Sequence, residues 1–254
     1  LIPLILYHPE GPEIRRFSLT LLDVGQGLAA VIRTRDHVLL YDTGPRYGGD
    51  FDAGQTVIAP YLRHEGISMI DAVVISHGDR DHIGGFASLR RQGKRWIWDG
   101  VAFEFLHPPP GFTGSENDRS CVLKVGYPGR GLLLPGDIEA AAESVLIGDN
   151  RETLRSRVLV APHHGSETSS TAAFLREVGP DAVLFPVGYR NRFGFPRPAV
   201  VERYRQLQAR LYDTAQDGAI EVYFSRNGDI DRVIPYRPSV RRYWHWRAYF
   251  NDPE

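Results

Sequence analysis

The 254-residue chain has a single cysteine, Cys121. One thiol excludes an intramolecular disulfide and any cysteine-rich zinc site, and leaves the redox compartment open. No run of 18 apolar residues occurs, which excludes a membrane-spanning helix within this stretch. An excess of charge of one sign is also missing. There are 30 Lys and Arg against 31 Asp and Glu, so any nucleic-acid contact must come from a local patch. There is no basic segment ahead of the apolar opening, which excludes a signal peptide. No short repeat and no low-complexity linker divides the chain. Its 42% hydrophobic content suffices for one large core or two small ones.

What is present is concentrated. His77-Gly78-Asp79-Arg80-Asp81-His82 places two imidazoles and two carboxylates within six residues. It follows Ile70-Asp71-Ala72-Val73-Val74-Ile75-Ser76, whose β-branched residues predict a buried strand. Asp and Gly are ordinary turn residues there, and Asp79 or Asp81 could cap a following helix. That accounts for one carboxylate and leaves the histidines at both ends unexplained. One divalent metal, or two, accounts for all four side chains.

Three further strand-like runs end in ligand-type residues. The run 37–41 leads into Asp42-Thr43-Gly44, 130–136 into Asp137, and 157–162 into His163 and His164. Gly-Asp after a strand is a common turn, and Asp42 suits an Asx turn. Adjacent histidines without apolar alternation are harder to place in a core. Taken together, the strand ends predict a metal site gathered from distant parts of the chain.

Strands are predicted at 17–23, 28–34, 37–42, 70–75, 94–98, 102–106, 120–126, 130–134, 157–161, 182–187, 211–213, 219–225 and 232–236. Helices are predicted at 55–65, with Pro60 as a kink, at 84–91, 139–146, 170–178 with a serine cap, and 198–210. Residues 44–49 read as a loop. Two half-chains of strands with interleaved helices suggest two facing sheets with helices outside, although periodicity alone supports only a mixed α and β chain.

His-x-Asp-x-Asp-His resembles the metal motif of the metallo-β-lactamase superfamily, in the variant with aspartate for the second histidine. The wider series resembles the metallo-β-lactamase-like domain of the ComEC/Rec2 family, the DNA-uptake channel of natural transformation. The matching pieces are Leu22-Asp23-Val24-Gly25-Gln26-Gly27, Asp42-Thr43-Gly44, Ser76 through Gly85, Glu116-Asn117-Asp118-Arg119-Ser120, Gly136-Asp137-Ile138-Glu139 and Pro162-His163-His164-Gly165-Ser166. They run in the family's order over most of the chain.

The resemblance implies an α+β fold, the αββα sandwich. It implies a linker after a membrane region at 1–16, a metallo-β-lactamase-like domain at 17–236, and a basic-aromatic tail at 237–254. The apolar start Leu1-Ile2-Pro3-Leu4-Ile5-Leu6-Tyr7 suits the trimmed end of a membrane segment, or a first strand. The chain is then a soluble domain of an inner-membrane protein on its periplasmic face, with the membrane channel region of the same protein as partner.

By the same resemblance, His77 and Asp79 hold one metal, and Asp81 and His82 the second. Asp137 is the bridging carboxylate and His163 the last ligand, with His164 beside it in a less defined role. Catalysis falls to Asp81, His77 and Asp137, with Asp81 also orienting the nucleophile. The superfamily's third-motif histidine is absent, and its slot falls at 117–120, where Asp118 is a weaker oxygen ligand or a supporting group. Asp23 and Asp42 support the surrounding backbone, and Ser166 is a candidate phosphate donor. Leu28 stands where the family often has a further aspartate. Phe195 stands where it often has histidine before proline, so a ligand or acid is lost there.

This set has no thiolate and is rich in oxygen, so two divalent ions, Mn²⁺ or Zn²⁺ with Mg²⁺ also admissible, are the expected cofactors. Two metals can clamp both the attacking and the leaving oxygen of a phosphodiester. The expected function is a metal-dependent DNA phosphodiesterase that degrades the strand not taken up. One rival is hydrolysis of a small lactam, lactone or thioester; another is a DNA-binding module of the channel without catalysis. Arg90 to Trp96 and Arg241 to Arg247 mix basic and aromatic residues in a way that suits single-stranded DNA. The tail suits packing on the domain or a membrane surface better. Arg190 and Arg192 are candidate phosphate contacts, although solvated loop arginines are commoner.

Overall fold

The computed structural model describes residues 11–48, 51–79, 81–82 and 95–240, with the backbone alone for 149–152. The expected helix at 84–91, residues 90–94 of the basic stretch, residues 1–10 of the expected linker and residues 241–254 of the tail lie outside the described residues. Among the described residues, no helix is long and apolar enough to cross a membrane.

The first sheet starts with an antiparallel meander of β1 (Phe17–Leu21), β2 (Ala30–Arg33) and β3 (Val38–Tyr41). A small hairpin, β4 (Arg46–Gly48) with β5 (Phe51–Asp52), follows. Part of the expected loop at 44–49 is therefore strand. A π-helical turn over Gly54–Ile58 then runs into α1 (Ala59–His64). Pro60 lies in the first turn of α1, directly after the π-helical turn, so the helical run changes its hydrogen-bond spacing beside the expected kink. β6 (Ala72–Val74) joins β3 in parallel.

The second sheet opens with four antiparallel strands, β7 (Arg95–Trp98), β8 (Val101–His107), β9 (Val122–Gly126) and β10 (Leu132–Leu134). It continues in parallel with β11 (Val158–Val160), β12 (Ala182–Phe185) and β13 (Arg210–Asp213). The parallel strands need crossovers. These are α2 (Ala140–Leu154), α3 (Ala172–Val178) and α4 (Pro198–Gln206). α2 runs eight residues beyond the expected end at 146. The side chain of Thr171, not a serine, caps α3 by accepting from Phe174 N–H. Ser170 is in the left-handed region with φ 58° and its hydroxyl pairs with Tyr204.

After α5 (Thr214–Asp217), β14 (Ile220–Phe224) and β15 (Ile230–Pro235) return to the first sheet, and α6 (Tyr236–Ser239) follows. The sheets are therefore not built from two successive half-chains. β14 pairs with the otherwise open edge of β1, with Phe17 and Phe224 stacked at 4.1 Å.

The layering follows from the two-residue period of a strand. Leu132, Leu134, Val158, Val160, Ala182 and Leu184 belong to the core shared with Leu19, Leu21, Leu39, Tyr41 and Val222 of the first sheet. The residues between them, Leu133, Leu159 and Val183, belong to a second cluster with Leu146, Phe174, Val178 and Tyr204 of the helices. A third cluster joins Val31 and Leu40 to Ile58, Tyr61 and Leu62 on the far side. Helix, sheet, sheet, helix is the αββα order. The Tyr41 hydroxyl ties the layers by donating to Cys121 C=O at 2.6 Å.

Candidate metal centre

The carboxyl ends of β3, β6, β10 and β11 converge at one end of the sandwich. They deliver Asp42, His77, Asp137 and the 162–165 turn in that order. The 77–82 loop folds back because Thr43 N–H and Oγ1–H both donate to His82 C=O, at 3.0 and 3.1 Å. The 25–27 turn lies against it. Gly27, with φ 143°, leaves no room for a side chain, since a Cβ there would stand 2.6 Å from Asp81 C=O. Gly136, with φ 61°, similarly lets Asp137 approach, since its Cβ would meet Ser76 and Ser120 at 2.8 Å.

His82 sits at the centre and is fully buried. Its Nδ1 lies 2.7 Å from Asp42 Oδ2. Asp42 is also fully buried, and accepts from Ser76 N–H and Ser76 Oγ–H at 2.7 Å each. That holds the ring with Nε2 turned to Asp137 Oδ1 at 3.3 Å. His164 is held the same way. Its Nδ1 donates to Pro186 C=O at 2.8 Å, and its Nε2 lies 3.5 Å from both Asp81 Oδ2 and Asp137 Oδ2. His77 has Nδ1 against Ser76 Oγ at 2.9 Å, while its Nε2 is buried with no hydrogen-bond partner among the described residues. Fixing one ring nitrogen so that the other is bare is the arrangement of a metal-ligating histidine.

Among the described residues, two overlapping groups of ligand atoms result. His77, His82 and Asp137 form one, and Asp81, His82 and His164 the other, with the atoms of each group within 4.8 Å of one another. The orphaned Nε2 of His77 and the oxygen-and-imidazole donor set fit divalent cations. Asp79 stands at the rim, 3.5 Å from His77 Nε2 and half exposed.

The electrostatics follow from burial against charge. Burial alone would lower His82, but the carboxylates of Asp137 and Asp42 outweigh it and hold the ring well above its ordinary value. Burial is likewise outweighed at His164, which Asp137 and Asp81 raise to about 9. Asp137 is held well below the carboxylate range because His82 and His164 overcome its own burial. His164 and His82 similarly outweigh burial at Asp81 and lower it. At His77 burial wins, aided by His82, and the ring is pushed down toward neutrality.

Several expected residues are placed elsewhere. His163 is set back from His164, with Nδ1 near Thr168 Oγ1 at 3.2 Å and Glu139 Oε1 at 3.3 Å, and Nε2 3.9 Å from Asp137. Both histidines and Gly165 have positive φ, at 48°, 54° and 84°. From this strained turn both Nε2 atoms face Asp137 Oδ2, His163 at 3.9 Å and His164 at 3.5 Å. The Asp118 carboxylate faces the start of α2 and accepts from Glu139 N–H at 3.0 Å and Ala142 N–H at 3.3 Å. It belongs to neither ligand group because it caps a helix. Asp23 accepts from Gly25 N–H and from Arg237 Nη2–H at 2.6 Å. The Ser166 hydroxyl pairs with Thr168 Oγ1 at 3.1 Å. Ser76, which links Asp42 to both His77 and His82, is not in the expected set; its only sequence signal is a polar residue closing a buried apolar run.

Residues 22–94 and 90–188 match the metallo-beta-lactamase superfamily. The chain belongs to that superfamily. It is 36% identical over 244 residues to competence protein ComA of Neisseria gonorrhoeae, covering 88% of this chain and 35% of that protein. It is 33% identical over 227 residues to recombination protein 2 of Haemophilus influenzae, covering 80% of this chain and 28% of that protein. These are relatives of the ComEC/Rec2 family, and the chain spans about a third of their length. The metallo-beta-lactamase fold protein YhfI of Bacillus subtilis superposes with a TM-score of 0.50 at 10% identity, covering 85% of this chain and 99% of that one. That likeness carries the fold alone, which is the expected α+β fold.

Proposed function

We propose that the chain is a metal-dependent phosphodiesterase acting on DNA, which degrades the non-transported strand during uptake. The observation that carries this reading is the gathering of His77, His82 and His164 about the Asp137 carboxylate, with Asp81 beside His164. Two adjoining cations would supply Lewis acidity on both sides of a phosphodiester and an attacking water of lowered pKa. Mn²⁺ or Zn²⁺ suits the donor set. We assign His77 and Asp137 to one cation, with Asp79 able to reach it from the rim, and Asp81, His82 and His164 to the other, with the second oxygen of Asp137 able to serve it. Asp42 holds the His82 tautomer, Ser76 braces His77, and the partly exposed Asp81 orients the incoming nucleophile. His163 borders the cluster with its outer nitrogen on Glu139 and Thr168. The relatives named for competence and recombination support DNA as substrate. Their greater length supports a domain of a longer protein, for which a membrane channel region as partner and the periplasmic face as its site are part of the same proposal.

The test is cleavage of end-labelled single- and double-stranded DNA with Mn²⁺, Mg²⁺ or Zn²⁺, beside an Asp81→Ala control. Metal-dependent cleavage lost in the control is expected. A folded, metal-loaded chain that cuts neither DNA under any metal would sink the reading. Nitrocefin turnover by the same sample would move the assignment to lactam-type hydrolysis, and DNA binding without cleavage would move it to a binding module.

A further inference from the structure

The loop 188–197, between β12 and α4, borders the metal cluster through Phe195. The Phe195 ring centre is 5.8 Å from His163 and 6.5 Å from His164, nearly parallel to the latter at 16°. Phe193 lies nearly parallel to Phe195 in turn, at 5.6 Å and 17°. A line of ring faces thus leads outward from the cluster. Phe193 and Tyr189 are large apolar side chains left 41% and 61% exposed, where water contact disfavours them.

Three arginines accompany the rings. Arg192 sits 4.8 Å over Phe193, Arg197 5.7 Å over Phe195, and Arg190 5.2 Å over Tyr189. Among the described residues, each of these guanidinium groups rests on a ring and pairs with no carboxylate. Among the described residues, the positive charge on this loop therefore has no carboxylate partner.

The loop is preformed. Asn191 spans it, donating from Nδ2 to Gly188 C=O at 3.1 Å and Phe195 C=O at 2.7 Å, and accepting Phe195 N–H at 2.9 Å. One end is tied to the histidine turn by Arg197 N–H donating to Gly165 C=O at 3.0 Å. The other end abuts the 25–27 turn so closely that a Cβ on Gly188 would meet Gln26 N at 2.7 Å. A preordered loop loses little freedom on binding.

We propose that this loop seats unpaired nucleotides and leads their strand into the metal cluster, a reading that rests on the phosphodiesterase assignment above. A ring face released by its arginine stacks on any base, and the guanidinium takes a neighbouring phosphate. An exposed cation–π contact is weaker than base stacking, so an arginine yields its ring to a base and turns to the backbone. Bases already stacked in a duplex cannot use the rings, so the seat selects single strands.

The experiment is fluorescence anisotropy of the 254-residue chain with labelled oligo(dT) of about 12 nucleotides, in EDTA so that no cleavage intervenes. Oligo(rU) and a DNA duplex of equal length are the other arms. Tighter binding of the single strand than of the duplex is expected. Phe193→Ala weakens it about tenfold with the salt slope unchanged, and Phe193→Trp restores it. Arg192→Gln lowers the salt slope by about one phosphate contact. Equal affinity for single strand and duplex, no binding, or a Phe193→Ala chain that binds like the wild type overturns the proposal. Preference for oligo(dT) over oligo(rU) assigns the seat to DNA, and equal binding assigns it to unpaired strands in general. Single-strand binding that depends on Phe193, from a chain that cuts no DNA, removes the phosphodiesterase reading and leaves the seat standing.

Discussion

The 77–82 loop and the 162–165 turn supply the same kind of side chain to one cluster by opposite means. In the loop, burial alternates with chemistry. The His77 and His82 side chains are 1% and 0% exposed, while Asp79 and Asp81 are 51% and 32% exposed. In the turn, two adjacent histidines reach one carboxylate oxygen, Asp137 Oδ2, from different depths. The His164 side chain is 2% exposed and faces two carboxylates, while His163 is 20% exposed, with Nδ1 on Glu139 and Thr168 and Nε2 3.9 Å from Asp137. A residue's place in a dense motif therefore does not settle its role; the partner of its second nitrogen does.

The sharpest way to break the comparison is at the carboxylate both segments share. Asp137→Ala leaves His82 and His164 without their common counter-charge and should lower Mn²⁺ or Zn²⁺ affinity by at least about 100-fold in calorimetric titration. Next, the two histidines of the turn can be set against each other. His164→Ala should cost roughly 100-fold in metal affinity, and His163→Ala about tenfold or less. Equal losses would give the two histidines the same role. Asp42→Asn tests the brace behind the 77–82 loop. It removes the carboxylate that fixes His82, and a loss of about 10–100-fold is expected with the fold retained.

A pH titration sharpens the same contrast. His164 is raised to about 9 in the folded protein, above the ordinary 6.5. Its protonated form therefore stabilises the EDTA-treated protein fully below about pH 6.5, and that contribution disappears as pH rises toward 9. Thermal melts of the EDTA-treated chain should fall across this window, and His164→Ala should flatten the fall. The smallest effect is expected at Asp118. Asp118→Ala should lower stability by about 1 kcal/mol in denaturant unfolding, as loss of a helix cap does, and leave metal affinity unchanged.

Much of this was visible before any coordinate. Continuous apolar runs of Leu, Val, Ala and Phe announce β10, β11 and β12, and the strand-end positions of Asp42, Asp137 and the histidine pair announce a shared site. The β4–β5 hairpin was not visible, because strands of three and two residues carry too little periodicity. Nor was the cap made by Asp118, whose helix begins some twenty residues later in the chain.

Residue types and spacing determined that strands would end in imidazoles and carboxylates and that no thiolate would join them. That information is local, and local patterns survive in one dimension. Which histidine faces inward, which aspartate caps a helix, and that β14 closes on β1 were decided only in three dimensions. Each depends on a partner distant in sequence: Pro186 for His164, Ala142 for Asp118, Phe224 for Phe17. A buried polar group takes its role from the hydrogen bond that satisfies it, and folding alone chooses that bond.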